Sequence, residues 1–238
     1  MICPKCKFEQ NQNRIECPRC GIIFEKYQNI HNHEIHQKII TTDEPNFLSG
    51  LFFYVKPDIG LGQWAGQCIV LAIILFLGIK YMILPIKSNE IANSFFHLVN
   101  LPFHEAGHIF FRPFGRLMTS LGGSLGQLLM PLICMVVFLI KTRDPFGASA
   151  TLWWFGENFI DIAPYINDAR SLSLPLIGGN FGYSSPYGFH DWEFILTELG
   201  WSHLDHMFAK ISHFSGSALM IIAYIWGGTI LYKQYKYL

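Results

Sequence analysis

Two histidines one helical turn apart, with a carboxylate beside the first, form the part of this sequence best suited to chemistry: His104-Glu105-Ala106-Gly107-His108. On a helix, residues four apart share a face, so His104 and His108 can ligate one zinc ion. Zinc lowers the pKa of a coordinated water to about 7, and Glu105 is placed to take the proton from it, a combination suited to amide hydrolysis. Two imidazoles leave a catalytic zinc one protein ligand short of the usual three. The polar cluster over 157–168 can supply the third. Asp168 is the first candidate and Asp161 the alternative; they can share a helix face, although Pro164 between them is a potential helix breaker. His190, in a loop before a helix start, is a weaker third candidate.

A second constellation opens the chain. Cys3-Pro-Lys-Cys6 and Cys17-Pro-Arg-Cys20 are two knuckles whose four thiolates can close a tetrahedral zinc site. Residues 1–27 therefore read as a zinc ribbon too short to fold on buried apolar surface alone, so metal supplies much of its folding free energy. Cys68 and Cys134 stand singly in apolar runs, which is not a disulfide framework. The first residues carry a knuckle where a secretory signal would need an apolar core, so the ribbon is expected in a reducing compartment, the cytosol.

These residues must be positioned by elements of an apolar body. Of 17 Lys+Arg and 17 Asp+Glu, 13 fall within residues 1–56, and the chain is 51% hydrophobic, with a mean hydropathy of +0.28. Residues 59–79, 117–140 and 211–232 are uncharged and long enough to span a hydrocarbon core as helices. Residues 91–111 and 146–165 are equally long and apolar but carry the ionisable groups, which in a membrane face an interior or a cavity. Asn100 and Pro102 are plausible helix-starting residues for the zinc motif, and Gly122, Gly123 and Gly126 are expected to make the start of 117–140 irregular. Residues 171–189, broken by six Pro and Gly, read as a loop or re-entrant segment. Asp191 reads as the cap of an amphipathic interfacial helix carrying Trp192, Ile195, Leu196 and Leu199.

The expected architecture is thus an all-α multi-pass membrane protein of about five transmembrane helices. A zinc ribbon (1–27) and a linker (28–57) precede the membrane domain (58–238), whose metalloprotease-like core covers about 91–170. The histidines of the linker, His31, His33 and His36, read as solvated. Zero formal net charge gives no electrostatic argument for nucleic acid. The basic residues are spread over both sides of the body, so orientation rests on the reduced ribbon facing the cytosol, with the cell (inner) membrane as the expected location.

His104, Glu105, Gly107 and His108, then Gly115, then Asn158, Pro164 and Asp168, make the chain resemble the site-2-protease family of intramembrane zinc metalloproteases over roughly residues 95–170. The resemblance implies His104, His108 and Asp168 as zinc ligands, Glu105 as general base and Asn158 as a group polarising the scissile carbonyl. It departs at Asp168, which is followed by Ala169 where the family usually has glycine. Function is accordingly expected to be hydrolysis of a peptide bond in or near a membrane segment of a protein substrate, with two zinc ions, one structural and one catalytic. The alternative is a non-enzymatic adaptor or degenerate protease scaffold whose ribbon binds a cytosolic partner. A third reading makes the buried His and Asp groups a path for metal ions across the membrane.

Overall fold

The computed structural model describes residues 2–9, 15–27, 46–88, 90–177 and 179–238, and the chain divides into two compact units, Met1–Leu48 and Ser49–Leu238. His31, His33 and His36 lie outside the described residues.

In the first unit each knuckle is a tight turn. Cys3 N–H donates to Phe8 O and Lys7 N–H to Cys3 O, and the same pair of bonds recurs from Cys17 to Ile22 O and from Gly21 to Cys17 O. The fourth residue after each leading cysteine, Lys7 or Gly21, takes a left-handed conformation, with φ of 57° and 67°. Cys3 and Cys17 are buried with Phe24, and Phe8 and Ile22 pack around them.

Helix α1 (Phe47–Phe52) spans the division, and the second unit is helical beyond it: α2 (Leu61–Ile83), α3 (Phe95–Phe111), α4 (Arg116–Val137), α5 (Pro145–Asn167), α6 (Asp191–Glu198) and α7 (Asp205–Tyr235). Among the described residues three helical stretches, Leu61–Ile83, Arg116–Thr142 and Ser202–Tyr235, are long and apolar enough to cross a membrane. Their outward faces fit an apolar solvent, since Ile69, Phe76 and Ile83 on α2 and Phe214, Ile222 and Ile225 on α7 are exposed. The central helix is α5, most of which is buried. Asp144 caps it by accepting from Gly147 N–H, Pro145 opens it, and it runs on through Pro164 to Asn167.

Contacts define two ends of this bundle. At the first, the start of α2 meets the close of α7, where Trp64 Nε1 donates to Leu231 O and Trp226 Nε1 to Phe52 O. Phe146 at the start of α5 joins them, and Phe138 at the close of α4 lies beside Gly147. At the second end, Ile162 and Ile166 of α5 pack with Ala209 of α7 and Ile86 after α2, while Arg170 forms a two-pronged ion pair with Asp205 at 2.6 and 2.8 Å. The start of α4 is here too, with Arg116 bonded to Tyr187 O. Helices α2, α4, α5 and α7 therefore run from end to end.

Helix α3 does not. Its start lies halfway down, where Phe96 meets Trp153 with ring centroids 4.9 Å apart, and it returns to the second end, where His108 meets Thr119. The stretch 91–111, expected to be a complete span, therefore covers only the part of the bundle toward the second end. Its cap is Ser94, which accepts from His97 N–H, so Pro102 sits inside the helix and not at its start. The first part of α4 is regular; its glycines serve packing, Gly122 and Gly126 lying against Gly107 and the backbone of Phe103.

Candidate metal centre

Helix α3 presents His104 and His108 on one face, as four-residue spacing requires, with ring centroids 4.8 Å apart. His108 Nδ1 lies 2.7 Å from Thr119 O, a backbone acceptor, so Nδ1 carries the proton. His104 Nδ1 lies 2.7 Å from Gln127 Oε1. That oxygen is fixed by a relay: Asn158 Nδ2 donates to Trp154 O, which turns Asn158 Oδ1 toward Gln127 Nε2 at 3.1 Å and leaves Gln127 Oε1 facing the histidine. In their neutral form both rings then hold their Nε2 lone pairs toward one point.

At that point stands Asp191. Its Oδ2 is 3.2 Å from His104 Nε2 and 3.4 Å from His108 Nε2. Tyr165 holds it there, its hydroxyl accepting from Asp191 N–H at 3.0 Å and lying 3.4 Å from Oδ2. Two lone-pair nitrogens and a carboxylate oxygen facing one another repel unless a cation lies between them, and a single proton can serve only one of the two contacts. A tetrahedral zinc with bonds of about 2.05 Å separates its ligand atoms by about 3.3 Å. The donor set and spacing fit zinc, and the Nδ1 acceptors are of the kind that orient metal-bound histidines.

The sequence candidates for the third ligand lie elsewhere. Asp168 closes α5 and is fully engaged: Oδ1 accepts from Ser171 Oγ, Ser173 N–H and Ser173 Oγ, and Oδ2 from Leu174 N–H. Burial pushes its pKa up, but His190, Ser171 and the Leu174 and Ser173 amides outweigh that and hold it well below the ordinary carboxylate range. Arg170 is turned to Asp205. Asp161 lines the same cavity as the histidines, yet its oxygens are taken by His97 Nδ1 at 2.8 Å and Asn100 Nδ2 at 3.0 Å. His190 is buried and caps α6 through Nδ1, with Nε2 3.5 Å from Asp168 Oδ2. That leaves the residue read from sequence as the cap, Asp191, free to face the histidines. Asn158 is fully buried with both ends of its amide committed, so it orients Gln127 and does not reach the cavity.

Glu105 is exposed and lines a cavity of about 730 Å³ together with His97, Leu101, His104, His108 and Asp191. The far wall is the loop strand Leu174, Pro175, Leu176 and Ile177, with Pro175 bridged to Phe181.

The cysteines form a second candidate centre. Cys3 Sγ is 3.7 Å from Cys20 Sγ and Cys6 Sγ 3.7 Å from Cys17 Sγ, with all four sulfurs within 4.8 Å of one another. These are not disulfide distances; zinc with sulfur bonds of about 2.3 Å gives edges of about 3.8 Å. Burial raises the Cys3 thiol, but the Cys6 and Lys5 amides and the neighbouring thiols bring it down to about 6, whereas burial and the other three sulfurs push Cys20 up to about 12.

No protein-family model matches the chain, and neither a curated protein nor a solved structure does.

Proposed function

We propose that this is a membrane-embedded zinc endopeptidase, similar to the site-2 proteases in its His-Glu-x-x-His arm but with Asp191 as third ligand in place of Asp168. The observation carrying the proposal is the convergence of His104 Nε2, His108 Nε2 and Asp191 Oδ2 beside an exposed Glu105 in an open cavity. Zinc held by these three residues would supply Lewis acidity for the attacking water and the scissile carbonyl. Glu105 takes a proton from the water as its oxygen adds to the carbonyl carbon, and returns it to the amine nitrogen as the C–N bond breaks. Gln127 and Thr119 hold the imidazoles in the required tautomer, and Tyr165 holds Asp191.

The four cysteines hold the second, structural zinc, in a ribbon facing the cytosol that is available to a protein partner. The body sits in the cell (inner) membrane, with α5 and the α3 arm embedded alongside the three apolar spans. The test is zinc per chain in purified, detergent-solubilised protein. Wild type is expected to hold two, Cys3/Cys6→Ser and His104/His108→Ala each one, and Asp191→Ala one. Glu105→Gln should keep both zinc ions and lose cleavage of membrane-protein substrates. A wild type holding only the cysteine-bound ion, with no second site on zinc addition, overturns the proposal in favour of a non-enzymatic scaffold.

A further inference from the structure

Resting on that reading, we infer that the site draws its substrate from the membrane face opposite the one where the chain enters α2 and leaves α7, and that the substrate is a polypeptide segment at that surface. Both the start of α2 and the close of α7 lie at the first end of the bundle, tied by the Trp64–Leu231 and Trp226–Phe52 bonds. The three clustered groups and two of the residues that hold them belong to the second end, while Gln127 and Asn158 brace His104 from deeper in the bundle. His108 bonds Thr119, three residues into α4; Tyr165 is two residues from the close of α5; and Asp191 opens α6. Asp161, deeper in the cavity, is six residues from the close of α5, about 9 Å at 1.5 Å per residue.

The cavity follows α3 from His108 to His97, about 16 Å of helix, which matches about five residues of extended chain. Its rim is exposed: Ile177 and Phe189 are 64% and 67% accessible. Below its inner limit Ile74, Trp153 and Met220 form a buried cluster, with the Trp153 indole donating to the Tyr224 hydroxyl, between the cavity and the first end. Apolar walls from Leu101, Ile162, Ile177 and Phe189 alternate with Asn93, Ser120 and Gln127, a lining suited to peptide backbone and apolar side chains together. With the chain before α2 in the cytosol, the mouth faces the extracytoplasmic side.

The test is sided labelling in intact cells and in inverted membrane vesicles. Ile177→Cys and, as a second variant, Tyr183→Cys on the same loop are compared with Leu238→Cys at the other end, using a membrane-impermeant maleimide and site-resolved mass spectrometry. The loop cysteines should label in intact cells and Leu238→Cys in inverted vesicles. Loop and C-terminal cysteines labelling from the same side overturns the inference. In parallel, an impermeant chelator should remove the histidine-held zinc only when applied at the loop side; removal only from the chain-end side also overturns it. Absence of that zinc in detergent sinks the peptidase reading instead, and the labelling pattern still decides where the cavity opens.

Discussion

The direction in which each imidazole nitrogen points separates Asp191 from the other carboxylates. His104 and His108 each spend Nδ1 on an acceptor behind them, so both Nε2 atoms face the same point in front, and Asp191 Oδ2 is the acidic oxygen there. Asp191→Asn is therefore expected to weaken the second zinc site severely, whereas Asp168→Asn and Asp161→Asn should leave zinc stoichiometry at two. Gln127→Leu, which removes the acceptor for His104 Nδ1, should weaken the site by 10–100-fold, the range typical of outer-shell partners, read by competition with a zinc indicator. Asp168 has a different task. Its carboxylate is held below the usual range, so its stabilisation is complete above the unfolded pKa of about 4 and is lost as pH falls through the lower folded value. The Tm difference between wild type and Asp168→Asn should accordingly be constant from about pH 5 to 8 and shrink only below about pH 4. Local spacing made the histidine pair legible in sequence. The third member of the cluster was not, because Asp191 reaches His108 only through the loop fold, and its place at a helix start is equally well explained as a cap until His190 is seen to do the capping.

Helix α3 can lie against α4 because the contact is made of glycine. A Cβ built at Gly122 would stand 2.7 Å from Gly107 O, and one at Gly126 would meet the backbone of Phe103. The motif's central Gly107 is part of this seam, so the pattern that carries the histidines also sets how closely their helix approaches its neighbour. Gly123 is more pointed still, since a Cβ there would overlap the His104 ring around Nε2. Gly123→Ala should cost most of the second zinc while leaving every ligand in the sequence, and it should change helix content by circular dichroism little. Gly126→Ala should instead lower stability by about 1–3 kcal/mol, the usual cost of overpacking, measured as a fall in the denaturation midpoint. The sequence marks these positions as glycine but not their purpose; helix-breaking and close packing use the same residue. Pro164 and Pro102 carry the same ambiguity, since each lies within a helix whose neighbours already fix its course.

At the scale of the whole chain, composition separates an N-terminal stretch rich in charge from an apolar body, and the structure divides near the same place, after Leu48. Span count was harder to read, because residues 91–111 are as long as a crossing segment, whereas the helix within them is Phe95–Phe111 and the contacts of Phe96 and His108 show that it returns to the end where α2 closes. The two units also differ in what holds them. Among its described residues the first buries Cys3, Cys17 and Phe24, little apolar surface to offset the ordering of a chain, so on the proposed reading its fold depends on a metal held by the four sulfurs. The second rests on long helices packed through Trp153, Met220, Ile160 and Ile230, away from His104, His108 and Asp191. Exhaustive chelation should therefore expose Lys5, Lys7, Arg19 and Lys26 to rapid tryptic cleavage, while the fragment covering 49–238 persists and the helical signal falls only slightly. Equal loss of both on chelation would mean that zinc at the histidines is a structural keystone of the helical unit, and the open, catalytic reading of that centre would have to give way.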